Sequence, residues 1–485
     1  MIALVNPAST HSPRKPLPMS VLAVGALLEG AFDYEIVDAN ITGNVCERIV
    51  ALAERTTLTA VGMTVMAGPQ LVDALRLSRA IRGRLPGVPI VWGGYFPSQH
   101  ADTVLGDPAV DYCIRGQGEQ SFIALMRVLE SGGALSSIPG LSHRDGGRVV
   151  HVPLAPLVAL DSLPMWPYHR VEMSRYFHQH YLGRRVGAHH SSYGCPHACS
   201  FCAVVGIANR RWVAESPDRV DRVLQLFKQR YDADAVQFHD MDFFISEART
   251  IAVAERLGHH GMTWWALGRV DELVRYKATT WRAMRQSGLK MLFCGAESGS
   301  NATLKEMNKG GKATAEDTLE LARRMKEFDV VPEFSFVVGH PPDPEGDLRG
   351  TMDFIRRLKR INEHAEIILY VYAPVPDVLL AGAPHIEFPA TLDEWVSGRW
   401  QSFSLRRNPR TPWAPETVRA RVRNFETVLN AYYPTVTDVR LTAMRRRMLR
   451  ALAAWRYHAR IEWRPFELNA VQRVFRYQRP ETTGF

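Results

Sequence analysis

Cysteine is scarce in this chain, with six in 485 residues. Cys46, Cys113 and Cys294 stand singly and read as buried, reduced thiols, which excludes a disulfide framework and leads us to expect a cytoplasmic protein. Long apolar runs are missing too. "VLAVGALLEG" is too short to span a bilayer, and "MIALVNPAST" has neither a basic stretch before it nor a small-residue cleavage site, so no membrane span or export signal is expected. Glycine is absent from "NPASTHSPRKP", which follows the first apolar strand, and the G-x-G-x-x-G phosphate turn therefore cannot form there. Lysine is absent from residues 416–485, where 14 arginines face 6 acidic residues and hold all but one unit of the net charge of +9. Such a tail can meet nucleic acid, anionic lipid or a phosphorylated substrate, or be a solvated helix face. Leu, Ala and Trp at helical spacing in "RRRMLRALAAWRYHARIEW" imply that at least one side of it is packed.

The length calls for two or three domains. Residues 1–135 alternate short Val- and Ile-rich strands ("MIALVNP", "YEIVDAN", "AVGMTVMAG", "PIVWGG", "VDYCIRGQGE") with amphipathic helices, the pattern of an α/β, Rossmann-like, doubly wound domain. Its ligand crevice lies beyond the carboxyl ends of those strands. Gly93, Gly94, Gly116 and Gly118 gather there and let a bulky ligand approach the backbone, although glycines at strand ends are common in any α/β domain. Residues 136–185 are rich in prolines and turn residues and read as a linker. A second alternating series over residues 186–385 fits a partial (β/α)6, TIM-like barrel. Residues 386–485 read as a basic, mainly helical C-terminal region.

Three cysteines crowd into "CPHACSFC": Cys195, Cys199 and Cys202, spaced C-x3-C-x2-C. A structural zinc site wants four closed ligands, and only His197, cramped inside the loop, offers a fourth. A [4Fe-4S] cluster held by three cysteines keeps one iron open to chelate a small molecule. With an aromatic, Phe201, just before the third cysteine, the loop resembles the radical S-adenosylmethionine (SAM) superfamily. That resemblance implies that Cys195, Cys199 and Cys202 ligate the cluster, that SAM chelates the open iron, and that electron transfer cleaves SAM to a 5'-deoxyadenosyl radical. It places Phe201 near the adenine, Glu297 and Ser298 of "CGAESGS" at the SAM amino acid or ribose, and Gly339 of "VVGHP" near the adenine. "HDMDFF" offers His239, Asp240 and Asp242 where relatives carry two glycines and an acid, and Asp240 is expected as the SAM contact. Arg269 is expected among the SAM contacts, where it can pair bidentately with a carboxylate or phosphate, with a plain salt bridge as the equal alternative. Glu297 and Ser298 can equally begin a helix cap, and Gly339 can simply turn the chain.

A Rossmann-like domain ahead of such a barrel resembles the cobalamin-binding radical SAM enzymes. By strand position, Asn6, Pro7, Thr64, Gly93, Gly94 and Glu119 then face cobalamin. The D-x-H-x-x-G motif that supplies a cobalt-ligating histidine is missing, and "DANITG" has Asn40 in its place. The resemblance implies a methyltransferase that moves a methyl group from SAM through cobalamin to an unactivated carbon of a small molecule; the alternative is a cyclase or oxidative rearrangement enzyme. An external one-electron reductant, flavodoxin- or ferredoxin-like, is implied because no second cysteine cluster exists. Nucleic acid is not expected as a partner. Tyr370, Tyr372 and Asp377 are the weak candidates for substrate contact, with a core role for the tyrosines as the alternative.

Overall fold

The structure is a computed structural model that describes residues 1–478 except 11, 13, 310–312, 374–386, 402–413 and 439–440. Five short strands open the chain: β1 (Ile2–Asn6), β2 (Tyr34–Asp38), β3 (Ala60–Thr64), β4 (Ile90–Gly93) and β5 (Tyr112–Ile114). They pair in parallel in the order β2-β1-β3-β4-β5. Every residue of β1 is buried, as a strand covered by helices on both faces must be. The chain winds one way from β1 to β2 and the other way from β3 onward, so a crevice opens at the carboxyl ends on either side of that switch.

One expectation needs correction. Within the segment read as a linker, β6 (Leu141–Asp145) and β7 (Arg148–His151) extend this sheet as an antiparallel hairpin. The turn is Asp145-Gly146-Gly147, with both glycines at positive φ, the chemistry a tight hairpin requires.

The second sheet is built from β8 (Val186–His189), β11 (Ala235–Phe238), β12 (Thr263–Arg269), β13 (Leu289–Glu297), β14 (Val331–Val338) and β15 (Glu366–Val371). These six strands run parallel in the order β15-β14-β13-β12-β11-β8, which is the partial barrel expected. A small antiparallel pair, β9 (Ser192–Gly194) with β10 (Trp212–Ala214), flanks the loop of three cysteines. Phe227, Phe238, Phe243, Phe244, Trp264 and Trp281 fill the core of this half.

Two devices join the halves. Tyr168 of the linker shares a 2.9 Å hydrogen bond with His189 Nδ1, His189 Nε2 is 2.8 Å from Glu215 Oε2, and Arg219 Nε donates to Glu215 Oε1 at 2.8 Å. Arg219 also donates to the carbonyls of Leu163 (2.6 Å) and Pro164 (2.8 Å), clamping the linker to the barrel. Beyond the barrel, residues 387–401 return to the first domain. There Arg79 bridges Asp107 (2.7 Å) and Asp393 (2.8 Å), and Trp395 stacks on Phe388 with its ring 5.2 Å from Phe96.

The C-terminal region is helical in its described parts, with helices Glu416–Tyr432, Ala443–Ala459 and Phe466–Phe475. Val418, Val422 and Phe425 of the first of these join the barrel core. Among the described residues no helix is long and apolar enough to cross a membrane.

Candidate active site

The chain leaves β8 through β9 into the cysteine loop. Gly194 has φ +81°, and a Cβ there would lie 2.2 Å from the Arg211 carbonyl oxygen, so glycine alone lets the loop pass β10. Cys199 is buried, and Cys195 and Cys202 are half-buried. Burial pushes the Cys195 thiol up to about 12 and the Cys202 thiol up to about 11, and a neighbouring cysteine adds to each rise. Three thiols thus converge where ionising one opposes ionising the next. Arg269 Nη1 donates to Cys199 Sγ at 3.2 Å, while Asp271 accepts from Arg269 Nε and Nη2 at 3.1 Å each. Arg269 therefore makes a salt bridge and braces the cysteine loop as well.

The two aspartates after β11 have different surroundings. Asp240 is buried and accepts from Ser191 N (3.1 Å), Ser191 Oγ (2.9 Å) and Ser192 Oγ, which fixes the strand ahead of the cysteines. Both of its oxygens are engaged by these donors. Asp242 faces the loop instead, with His197 and Glu272; their ligand-type atoms lie within 4.8 Å of one another. His197 Nε2 is 2.7 Å from Glu272 Oε1. Burial pushes the carboxyls of Asp242 and Glu272 upward, with the charge of Glu272 adding to the rise at Asp242 and that of Asp271 adding to the rise at Glu272. His239 lies between His190 (6.4 Å) and Trp265 (5.3 Å), and its enclosure pushes its imidazole down to about 4.

At the end of β13 the register slips between Gly295 and Glu297, and Glu297 adopts φ +64°. The backbone kink turns its side chain back over Gly295, where a Cβ would meet Glu297 Oε1 at 2.2 Å. Glu297 Oε1 accepts from Lys309 Nζ at 2.6 Å, and both residues are buried. The same Lys309 Nζ is 5.7 Å from the ring centre of Phe201. Ser298 Oγ accepts from Ser300 N at 3.1 Å, while Ser300 itself caps the helix Asn301–Glu306. Gly339 turns the chain after β14 at φ +83° and donates to Asp347 at 2.8 Å. Tyr372 packs in the core with His340 at 4.9 Å, Tyr370 is half-buried on β15, and Asp377 lies outside the described residues.

In the first domain, Asn6 Nδ2 donates to Asp38 (2.9 Å) while its Oδ1 accepts from Gln70 (2.9 Å), and the Pro7 carbonyl also accepts from Gln70 (3.2 Å). These bonds tie the end of β1 to β2 and to Gln70. Asn40 accepts from Ser9 N (2.9 Å) and Thr10 N (3.2 Å), holding the loop after β1. Gly68, Gly94 and Gly116, after β3, β4 and β5, all have positive φ. At Gly94 a Cβ would lie 3.0 Å from Thr64 Oγ1, whereas at Gly93 the nearest atom is 3.7 Å away. Buried nitrogens of Gln99, Arg115 and Gln117 on these loops have no partner among the described residues. Beside them a cavity of about 520 Å³ is lined by Gly116, Gln117, Glu119, Leu157, Ile207 and Arg211.

Residues 10–126 match the B12 binding domain and residues 190–355 match the radical SAM superfamily. The chain is a cobalamin-dependent radical SAM enzyme. It is 25% identical over 345 residues to an uncharacterized methyltransferase of Pyrococcus horikoshii, covering 70% of this enzyme and 73% of the relative. It is 24% identical over 359 residues to an anaerobic magnesium-protoporphyrin IX monomethyl ester cyclase of Synechocystis sp., covering 69% and 70%. Its fold is similar to that of OxsB, a cobalamin-dependent SAM radical enzyme, with a TM-score of 0.67 at 17% identity, covering 98% of this enzyme and 75% of OxsB.

The enzyme's own residues fit these cofactors. Three converging thiols match a cluster whose iron would stabilise them as thiolates. The unpartnered nitrogens of Gln99, Arg115 and Gln117 beside a glycine-lined edge match an amide-rimmed cofactor such as cobalamin. Lys309, Gln99 and Gln117 escaped the sequence reading. The two glutamines carried no pattern, whereas Lys309 stands just before a glycine pair in "NKGG", a weak loop signal.

Proposed function

We propose that this enzyme transfers a methyl group from SAM, by way of cobalamin, to an unactivated carbon of a small molecule. One observation carries the reading: the first domain's carboxyl edge and the cysteine loop share a mouth. The helix Tyr95–Gln99 after β4 packs on the helix Val204–Ala208 after Cys202, and a Cβ on Gly206 would lie 3.3 Å from Gln99 Nε2. Groups held on either side would therefore meet one substrate. When bound, the cofactors supply the polar methyl transfer and the hydrogen-abstracting radical; the protein orients them and excludes water.

In this reading Cys195, Cys199 and Cys202 hold the cluster, and Arg269 positions Cys199. Glu297 with Lys309 offers a charged pair, and Asp242 with His197 a protonatable pair, to the SAM amino acid alongside Asp240. Phe201 lies beside the adenine, and Ser298 and Gly339 shape the backbone around it. Thr64, Gly93, Gly94 and Glu119 line the cobalamin face. Tyr370 is the better tyrosine for substrate contact, because Tyr372 is committed to the core. A flavodoxin- or ferredoxin-like donor supplies electrons.

The methyltransferase relative favours methylation, and the cyclase relative favours ring formation without methyl transfer. The test is anaerobic reconstitution with iron, sulfide and cobalamin, followed by methyl-labelled SAM and reductant. S-adenosylhomocysteine with label on the bound cobalamin, together with 5'-deoxyadenosine, supports methyl transfer. Deoxyadenosine without label on cobalamin moves the assignment to the cyclase class.

A further inference from the structure

Ten large hydrophobic side chains are exposed among the described residues, and eight of them lie between 444 and 474, so the exposure is one local feature. Met444, Met448, Leu452 and Trp455 recur every three or four residues on the helix Ala443–Ala459 and fall within an arc of about 80° at 3.6 residues per turn. Arg456 carries the stripe onward: its guanidinium lies 4.6 Å from the Trp455 ring and 5.7 Å from that of Phe466, and it is fixed by Glu467. Trp463 and Phe466 then project at 68% and 69% exposure.

The unpaired charge of residues 443–478 has one sign. The acids of residues 443–478 are Glu462 and Glu467, paired with Arg356 and Arg456 respectively. Arg450 and Arg460 reach Glu363 and Asp353 on the neighbouring surface. Arg447, Arg464 and Arg473 are exposed and have no acidic partner among the described residues. We propose that this face docks the enzyme on an anionic lipid bilayer, with Trp455, Trp463 and the methionines entering the headgroup boundary and the arginines meeting lipid phosphates. Tryptophan and arginine around a protruding apolar stripe form the composition of an interfacial helix. A second copy on the same face would set arginines against arginines. A nucleic acid would match the arginines but leave Met444, Met448 and Leu452 without an apolar counterpart.

The experiment is flotation of the full-length holoenzyme with vesicles of phosphatidylcholine, with or without phosphatidylglycerol. The enzyme should float with the phosphatidylglycerol vesicles and be released by high salt. Arg447→Ala with Arg473→Ala should weaken partitioning roughly 25-fold, about fivefold per arginine, and Trp455→Ser with Trp463→Ser should abolish it while the melting temperature holds. Flotation indifferent to lipid charge and to both double variants would overturn the proposal. So would a self-association or a salt-sensitive RNA complex, lost in the tryptophan variant, from an enzyme that does not float.

Discussion

Glu215→Gln should loosen the linker clamp and lower the stability of the barrel half. The side chains of Glu215 and Arg219 are 3% and 4% exposed, and that of His189 is 1% exposed, so water cannot replace a lost partner. Removing one charge from such a pair leaves the other buried and uncompensated, at a cost of about 3–5 kcal/mol. For a unit the size of this barrel, that corresponds to a fall in melting temperature on the order of 10 °C. Arg219→Met should do similar damage, because it also strands the carbonyls of Leu163 and Pro164. The double variant should lose clearly less than the two single losses added, since the partners share one interaction. Thermal melts of the three variants, with limited proteolysis of the linker as a local probe, measure this. Burial raises the Glu215 pKa, but His189 and Arg219 more than offset it, so the folded value is lowered. Its contribution is therefore complete above the ordinary glutamate pKa of about 4.3 and is lost as pH falls through the lower folded value. Native enzyme should lose that increment on acidification, and Glu215→Gln should not. Single variants that melt within about 2 °C of the native enzyme, or strictly additive losses, would refute the reasoning.

Cys202→Ala should lose most iron and the broad visible absorbance after reconstitution, while Cys46→Ala should keep both; full iron in the first variant would remove Cys202 from the ligand set. Gly94→Ala forces a Cβ to 3.0 Å from Thr64 at φ +96°, a strain of about 1–3 kcal/mol. Cobalamin retention through gel filtration should fall about tenfold or more, whereas Gly93→Ala should retain it, and equal retention would argue against Gly94 as part of the cradle. Lys309→Met leaves the Glu297 carboxylate buried without its cation, and SAM affinity measured by equilibrium dialysis should drop about tenfold or more. Unchanged affinity would separate this ion pair from the SAM site.

The sequence spoke clearly where short-range chemistry decides structure. The spacing of Cys195, Cys199 and Cys202 and the alternation of strands and helices specify their outcomes within a few residues of chain. Asp240 and Asp242 were not separable, because neighbouring positions after a strand gave no indication which one the serines of the β8–β9 segment would occupy. Lys309 is 12 residues beyond Glu297 in the chain, and only the kink at Glu297 brings the two together. Asn6 reads as a ligand contact because it ends a strand, while its bonds to Asp38 and Gln70 depend on residues far along the chain. The hairpin of β6 and β7 carried its own signal in Asp145-Gly146-Gly147, masked by the prolines that follow.

Residues 387–401 give the molecule a second crossing between its halves. A single linker would let the first domain swing away from the barrel like a door. The returning segment ties the other side: separating the halves there would pull Asp393 from Arg79 and lift Trp395 from its seat against Phe96. The first domain is thus held to the rest of the chain at a second edge, away from the linker.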